Sequence, residues 1–114
     1  MKKIILTLTI CCWLIAGIAD AQATYKIANT FHIEGNEGWD YITADDTLPW
    51  LFVSHGSMVQ VLDMTNGNVL GTIRDLHGVH GITLAHDLNK GFSSGRDSTV
   101  VVFELLTYII LLQK

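Results

Sequence analysis

Short segments in which apolar and polar residues alternate, separated by turn-forming residues, fill the chain from residue 39 onward. Alternation with a period of two, rich in β-branched residues such as Val59 and Val61, is typical of strands with one buried face. Asn66-Gly67 lies between two such segments and favours a tight hairpin, because both residues tolerate a positive φ. No helical period of 3.6 appears beyond residue 23, so the pattern predicts an all-β fold. The first four predicted strands are Asp40–Ala44, Trp50–Ser54, Met58–Asp63 and Val69–Ile73.

This pattern repeats after about forty residues. Trp39–Thr43 aligns with Val79–Thr83, and Phe52 aligns with Phe92, in both cases at an offset of 40. Later positions align at an offset of 41, which one inserted turn residue explains. Four short strands within 40–41 residues are typical of one β-propeller blade. The predicted blade-like repeats span residues 39–78 and 79–114.

A further strand is expected ahead of the first repeat. Tyr25–Ile33 resembles a fourth strand, and in a closed propeller such a leading strand completes the last blade. Residues 24–114 are thus predicted to form a partial β-propeller of about two four-stranded antiparallel blades plus a leading strand. Two blades share one interface and leave two faces open, whereas repeat proteins need about three units or end caps. We expect a marginally stable chain that aggregates or self-associates through its open blade faces.

Residues 1–23 have the layout of a secretory signal peptide. Lys2 and Lys3 precede a run of fifteen uncharged residues, Ile4–Ile18, and small residues follow. Cleavage after Ala21 and cleavage after Ala23 fit equally well. Fifteen helical residues span only ~22 Å, short of the ~30 Å hydrocarbon core, so an uncleaved anchor is the less favoured alternative. We predict an exported, periplasmic or extracellular protein with no stable membrane span after cleavage.

Composition limits the kinds of partner. The chain has 114 residues, 49% of them apolar, which fits one folded domain and not a disordered tail. Seven basic and eleven acidic residues give a net charge of −4, and no basic stripe is visible, so nucleic-acid binding is not expected. Both cysteines, Cys11 and Cys12, lie in the predicted signal peptide. The exported part therefore has no disulfide or thiolate chemistry.

The predicted strands resemble a known repeat family. Residues 51–54, 59–63 and 67–73 are similar to the YVTN-type β-propeller repeat. Four further segments, ordered along residues 24–104, resemble the start of a YncE-like exported propeller protein. That resemblance implies a ring of about seven blades, of which this chain holds about two, and a role in binding or at a surface. The four segments are Gly38–Tyr41, Val53–Gly56, Gly78–Ile82 and Gly95–Asp97.

The end of the chain departs from that pattern. After Glu104 and Leu105, a blade of this kind should turn through polar or glycine residues into its fourth strand. Leu106–Leu112 is instead almost wholly apolar. A buried strand is one interpretation. A truncated or frame-shifted gene product is the interpretation that we favour.

Polar residues collect at one end of the predicted blades. Turns alternate between the two ends of an antiparallel meander, so the entry into strand one and the turn between strands two and three share an end. Asp40 and His80 occupy equivalent positions there, near the channel of a closed ring, where polar groups converge on a ligand. The alternative is that such residues hydrogen-bond turn backbone, and for Asp40 this is the favoured reading. The predicted ligand-binding residues are Asp40, His55, His80 and Arg96, whereas Asp45, Asp46, Asn66, Gly67, Asp87 and Asn89 form an ordinary turn set at the opposite end.

No catalytic motif or compact metal site is visible. The five histidines lack the helical spacing or cysteine partners of a zinc site, so any metal stays unknown and no cofactor is expected. No G-x-S-x-G sequence occurs, and no catalytic residue is assigned. We predict a non-catalytic module that binds an unknown ligand or protein partner. The alternative is a propeller-type hydrolase or metal-dependent enzyme with a site at the central channel.

Overall fold

A computed structural model of the chain describes residues 25–108 and 110–114, apart from the side chains of residues 110–113. The predicted signal peptide and both cysteines lie outside these residues. The chain divides into two compact units, residues 1–30 and residues 31–114. Of the first unit, residues 25–30 are described, and they form neither strand nor helix. Within the described ranges, no helix is long and apolar enough to cross a membrane.

The second unit consists of two four-stranded antiparallel sheets, each a simple meander in chain order. The all-β class predicted from the alternating pattern is therefore confirmed, and the one helical element described is a short 3₁₀ turn, His86–Leu88. The first sheet contains β1 (Trp39–Ala44), β2 (Trp50–His55), β3 (Met58–Asp63) and β4 (Val69–Ile73), and the second contains β5 (Val79–Ala85), β6 (Lys90–Gly95), β7 (Val100–Glu104) and β8 (Ile110–Gln113).

The same backbone features recur in both sheets at an offset of 40. The pairing of β1 with β2 is irregular between Trp39 and Ile42, and that of β5 with β6 is irregular at the equivalent place. At this irregularity the Ser54 hydroxyl accepts a hydrogen bond from the Tyr41 N–H at 2.9 Å. The Ser94 hydroxyl accepts one from the Gly81 N–H at 3.2 Å. The sequence repeat is thus a structural repeat.

The predicted leading strand is wrong. Tyr25–Ile33 forms no strand, and Tyr25 is 93% exposed. A strand needs a neighbouring edge for its N–H and C=O groups. Each described sheet is completed by its own fourth strand, β4 or β8, so the leading segment has no such partner in the described structure.

The apolar end of the chain forms a strand after all. β8 pairs antiparallel with β7, as a fourth strand should. The turn before it needs no glycine, because Tyr108 itself adopts a left-handed φ of 58° and its N–H donates to the Glu104 carbonyl at 2.8 Å. The Tyr108 ring lies over Gly71 of β4, where a Cβ atom would overlap with it. The interpretation of this segment as a departure from the four-stranded pattern is corrected.

One hydrophobic core serves both sheets. The Phe52 and Phe103 rings, one from each sheet, lie 6.2 Å apart between centroids, and both side chains are fully buried. Residues of β1 and β2 also contact β5, so the sheets pack side by side. This arrangement fixes the starts of β1 and β5 next to each other. The other buried members of the core are Val59, Val61, Ile73, Leu76, Val79, Ile82, Val101 and Leu105.

Candidate functional site

The starts of β1 and β5 meet at one end of the two sheets, which we name the entry end. The Gly56 N–H, in the turn between β2 and β3, donates to the Gly38 carbonyl at 3.0 Å. The Val79 N–H donates in turn to the Gly56 carbonyl at 2.9 Å. Gly56 has a φ of 53°, a left-handed conformation that glycine adopts at little cost. These bonds tie the first strands of both sheets to a single turn.

Asp40 and His80 meet at the entry end. The Nδ1 atom of His80 is hydrogen-bonded to Oδ2 of Asp40, although the residues are 40 positions apart in sequence. The side chain of His80 is 39% exposed and that of Asp40 is 33% exposed, so the pair is open to solvent. The Asp40 carboxylate thus bonds a side chain and not the turn backbone, contrary to the favoured expectation for this residue.

His55 lies inside the fold and not on this surface. Its side chain is fully buried, its Nε2 is 2.9 Å from Oε1 of Gln60, and the Trp39 ring stacks on it at 4.2 Å between centroids. Its Nδ1 is buried without a hydrogen-bond partner among the described residues. A histidine held this way supports the wall of a site and does not reach a ligand at the Asp40–His80 pair.

Arg96 lies at the entry end but makes no bond to the Asp40–His80 pair. Its backbone N–H donates to the carbonyls of His77 and Gly78 at 2.9 and 3.0 Å. In the described part of the chain its guanidinium forms no hydrogen bond or ion pair. A separate exposed pair, His77 Nδ1 to Asp97 Oδ2 at 2.9 Å, lies beside it. The structure therefore joins two of the four predicted residues directly, Asp40 and His80.

A polar cleft of about 740 Å³ opens next to His55. Gln60, which holds His55, forms part of its wall, and Gly35 lies against the His55 ring, where an added Cβ would be 2.7 Å from Cε1. The sequence analysis missed this cleft because most of its lining comes from an irregular segment. The one signal was Gln60, a polar residue within an apolar strand. Its polar lining consists of His32, Glu34, Asn36, Gln60 and Arg74.

Glu37 attaches the irregular segment that lines the cleft, residues 32–36, to the entry end. Its carboxylate accepts hydrogen bonds from the backbone N–H and, at 3.1 Å, the hydroxyl of Ser57. These two bonds, the backbone one foremost, hold the pKa of Glu37 below its usual value. The segment carrying the cleft is thus attached to the same turn as β1 and β5.

A second titratable group lies at the opposite end of the sheets. Burial alone would raise the pKa of Asp45, but hydrogen bonds from the N–H groups of Thr47 and Leu48, the Thr47 hydroxyl and the nearby His86 outweigh it and lower that pKa. Nε2 of His86 lies 3.0 Å from Asp45 Oδ1 and 3.8 Å from Asp46 Oδ1. The sequence analysis placed Asp45 and Asp46 in an ordinary turn set and left His86 out. The signal was available, since Asp46 and His86 are 40 residues apart.

No known protein family, curated protein sequence or solved structure matches the chain.

Proposed function

We propose that the chain is part of an exported YncE-like β-propeller and acts as a non-catalytic module that binds a ligand or a protein partner at the entry end. The observation that carries this proposal is the Asp40–His80 pair. Equivalent positions of two successive sheets contribute its two members, and the pair stays open to solvent. Polar groups that converge from successive repeats are the usual basis of a repeat protein's binding site.

The propeller interpretation is supported by the form and order of the sheets. Each is a four-stranded antiparallel meander, and a propeller blade has the same form. The sheets repeat at 40 residues and pack with β1 and β5 in contact, as the innermost strands of neighbouring blades do. The YVTN-like strand sequences point the same way. Export to the periplasm or beyond rests on the character of residues 1–23.

Binding fits the entry end better than catalysis does. A His–Asp pair becomes a hydrolytic device only when a nucleophile lies within hydrogen-bond reach of the second imidazole nitrogen. Among the described residues, the His80 side chain is hydrogen-bonded to Asp40 and to no hydroxyl group. His80 Nε2 and the Arg96 guanidinium remain available as hydrogen-bonding groups, and these suit a ligand that carries carboxylate or amide oxygens.

The exposed apolar residues of β1 support self-association as a further property. Tyr41 and Ile42 are 57% and 68% exposed on the first strand of the first sheet. Exposed large apolar side chains on an outer strand of a sheet favour association with a second copy of the chain.

The proposal is tested by NMR titration of the ¹⁵N-labelled protein with N-acetylglycine, which carries one carboxylate and one amide. We expect the largest amide shifts at residues 39–41 and 79–81, and at least a fivefold weaker response in a variant with both Asp40→Asn and His80→Gln. The matched control combines His77→Gln with Asp97→Asn, because it removes the neighbouring exposed His–Asp pair. Equal responses from the first variant and the wild type would refute binding at this site.

A further inference from the structure

The cluster of Asp45, Asp46 and His86 lies where the first turns of the two sheets meet. Asp45 and Asp46 follow β1, and His86 follows β5, its counterpart in the second sheet. One ligand atom from each residue lies within 4.8 Å of those from the other two. The Thr47 hydroxyl is 3.1 Å from His86 Nε2, and the Thr43 hydroxyl bonds the Ile82 carbonyl at 3.1 Å, so both turns are held in register.

Asp45 carries an unsatisfied oxygen in this cluster. Its side chain is fully buried. Oδ1 accepts hydrogen bonds from the Thr47 N–H at 2.8 Å, the Thr47 hydroxyl at 2.9 Å and the Leu48 N–H at 3.0 Å. Oδ2 has no partner. A turn-capping role explains Oδ1 but leaves Oδ2 without an explanation, and a buried carboxylate oxygen without a donor or a cation is costly.

We propose that Asp45, Asp46 and His86 bind a divalent transition-metal cation, with Zn²⁺ as the representative ion. Two carboxylates and one imidazole form a mixed oxygen and nitrogen donor set, which suits zinc and its first-row neighbours better than Mg²⁺ or Ca²⁺. The unsatisfied Asp45 carboxylate supplies the buried ligand. The Asp46 carboxylate is 90% exposed and is free to turn toward the ion.

The spacing of the donors fits this ion. Zinc bonds of 2.0–2.2 Å in a tetrahedron place neighbouring ligand atoms about 3.3 Å apart. Nε2 of His86 lies 3.0 Å from Asp45 Oδ1 and 3.8 Å from Asp46 Oδ1, on either side of that value. The two carboxylates and the imidazole are therefore close enough to share one ion, and Asp45 Oδ2 is the oxygen of Asp45 that is left to bind it. A cleft of about 430 Å³, lined by Asp46, His86 and residues of β1 and β5, borders the cluster and admits the water that completes the coordination.

The ion would join the two sheets. Asp46 and His86 are equivalent positions of the two repeats, so the site exists only where one sheet adjoins the next. Because an ion that binds only the folded state stabilises it by mass action, Zn²⁺ should raise the melting temperature. This inference is independent of the binding function proposed for the entry end.

The test is calorimetric titration of the purified chain, without a histidine tag, with ZnCl₂. We expect one ion per chain, little binding of MgCl₂, and at least tenfold weaker zinc binding in Asp46→Ala and in His86→Ala. His77→Ala is the matched control, because it removes the histidine of the exposed His77–Asp97 pair and should bind zinc as the wild type does. Asp46→Ala leaves the turn bonds of Asp45 intact, so a loss of binding in it is not a loss of folding.

A second measurement is the melting temperature with and without equimolar Zn²⁺. The wild type and His77→Ala should melt several degrees higher with zinc, whereas His86→Ala should show no shift. Failure of the wild type to bind zinc, or undiminished binding in both Asp46→Ala and His86→Ala, would overturn the proposal.

Discussion

Phe103 is fully buried and packs closely against a position in β6 that has no side chain. Gly91 is paired with Phe103 across the β6–β7 ladder, and a Cβ atom added at Gly91 would overlap with the Phe103 ring. At Gly81, in β5, the nearest atom to an added Cβ is the Ser94 hydroxyl oxygen at 3.6 Å, an ordinary contact. A methyl group therefore has room at Gly81 but not at Gly91.

Gly91→Ala should destabilise the fold by about 1–3 kcal/mol, since an added methyl forces the packed ring to move. Gly81→Ala, in the neighbouring strand β5 of the same sheet, is the matched control and should change the free energy of unfolding by less than about 1 kcal/mol. Urea denaturation of both variants measures the difference. Equal losses would show that the Phe103 contact is not the cause.

Single residues also show how far sequence reasoning reached. Counting forty positions placed Asp40 and His80 at equivalent positions of the two repeats, but it favoured a turn-backbone bond for Asp40, and the structure joins the two side chains instead. His55 shares their end of the sheets by the same reasoning, yet it is buried beneath Trp39 and bonded to Gln60. Counting positions predicts which end of a sheet a residue occupies. It does not predict which way the side chain turns, because that depends on the loop packed over it.

The turn between β3 and β4 is organised by one carboxylate. Oδ1 of Asp63 accepts hydrogen bonds from the Thr65 hydroxyl at 2.6 Å and the Thr65 N–H at 2.7 Å, and Oδ2 accepts one from the Asn66 side chain at 3.1 Å. The Thr65 hydroxyl bond comes first among the causes that lower the pKa of Asp63. A carboxyl with a lower pKa in the folded state stabilises that state when it is ionised.

Asp63→Asn should therefore destabilise the protein at pH 7, where the wild-type carboxylate is ionised and fully bonded. The folded pKa lies below the unfolded value of about 3.9, so the stabilisation is complete above that pH and is lost as pH falls through the folded pKa. The difference in the free energy of unfolding between wild type and Asp63→Asn should thus become smaller below about pH 4. Urea midpoints at pH 7, 5 and 3.5 measure it. Asp87→Asn is the control, because it changes an exposed acid on the 3₁₀ turn, and its urea midpoints should equal those of the wild type. A stability difference between wild type and Asp63→Asn that does not change with pH would contradict the role given to the Asp63 carboxylate.

The bounds of a strand could be predicted where apolar and polar residues alternate along it and turn-forming residues flank it. β3 and β4 have the predicted bounds, and β1 and β2 differ from theirs by one residue each. A strand at β8 was the less favoured of two interpretations because its turn contains no glycine, and a tyrosine in left-handed conformation closes that turn. Such a residue is unfavourable locally, and packing of its ring over Gly71 and against Trp50 offsets the cost.

The molecule as a whole depends on side chains that the two sheets share. Phe52 and Phe103 come from different sheets and meet in one core with Val79 and Leu105. Shared burial of this kind makes neighbouring repeats unfold together, because neither can bury its inner face alone.

Phe103→Leu should lower the free energy of unfolding by about 1–2 kcal/mol and should shift the unfolding of both sheets equally. Trp39 stacks on His55 within the first sheet, whereas Trp50 also contacts Tyr108, so the fluorescence of Trp39 in a Trp50→Phe background reports on the sheet that does not carry the substitution. Fluorescence and far-ultraviolet circular dichroism should give coincident urea transitions. Leu106→Ala, at a residue that is 64% exposed, is the control and should have little effect. A fluorescence transition unmoved by Phe103→Leu would show that the sheets unfold independently.

By itself, the sequence determined the all-β class, the forty-residue repeat, most strand bounds and the equivalent positions of Asp40 and His80, but not the hydrogen bond between them. These follow from the period of side-chain alternation and from counting residues, which are local properties of the chain. Tertiary structure alone decided that residues 25–33 form no strand, that His55 is buried and that loop residues line a cleft beside it. It also decided that Asp45 meets His86 through Oδ1 while Oδ2 has no hydrogen-bond partner among the described residues. Each of these depends on which groups are brought together across the sheets, and no local pattern encodes that.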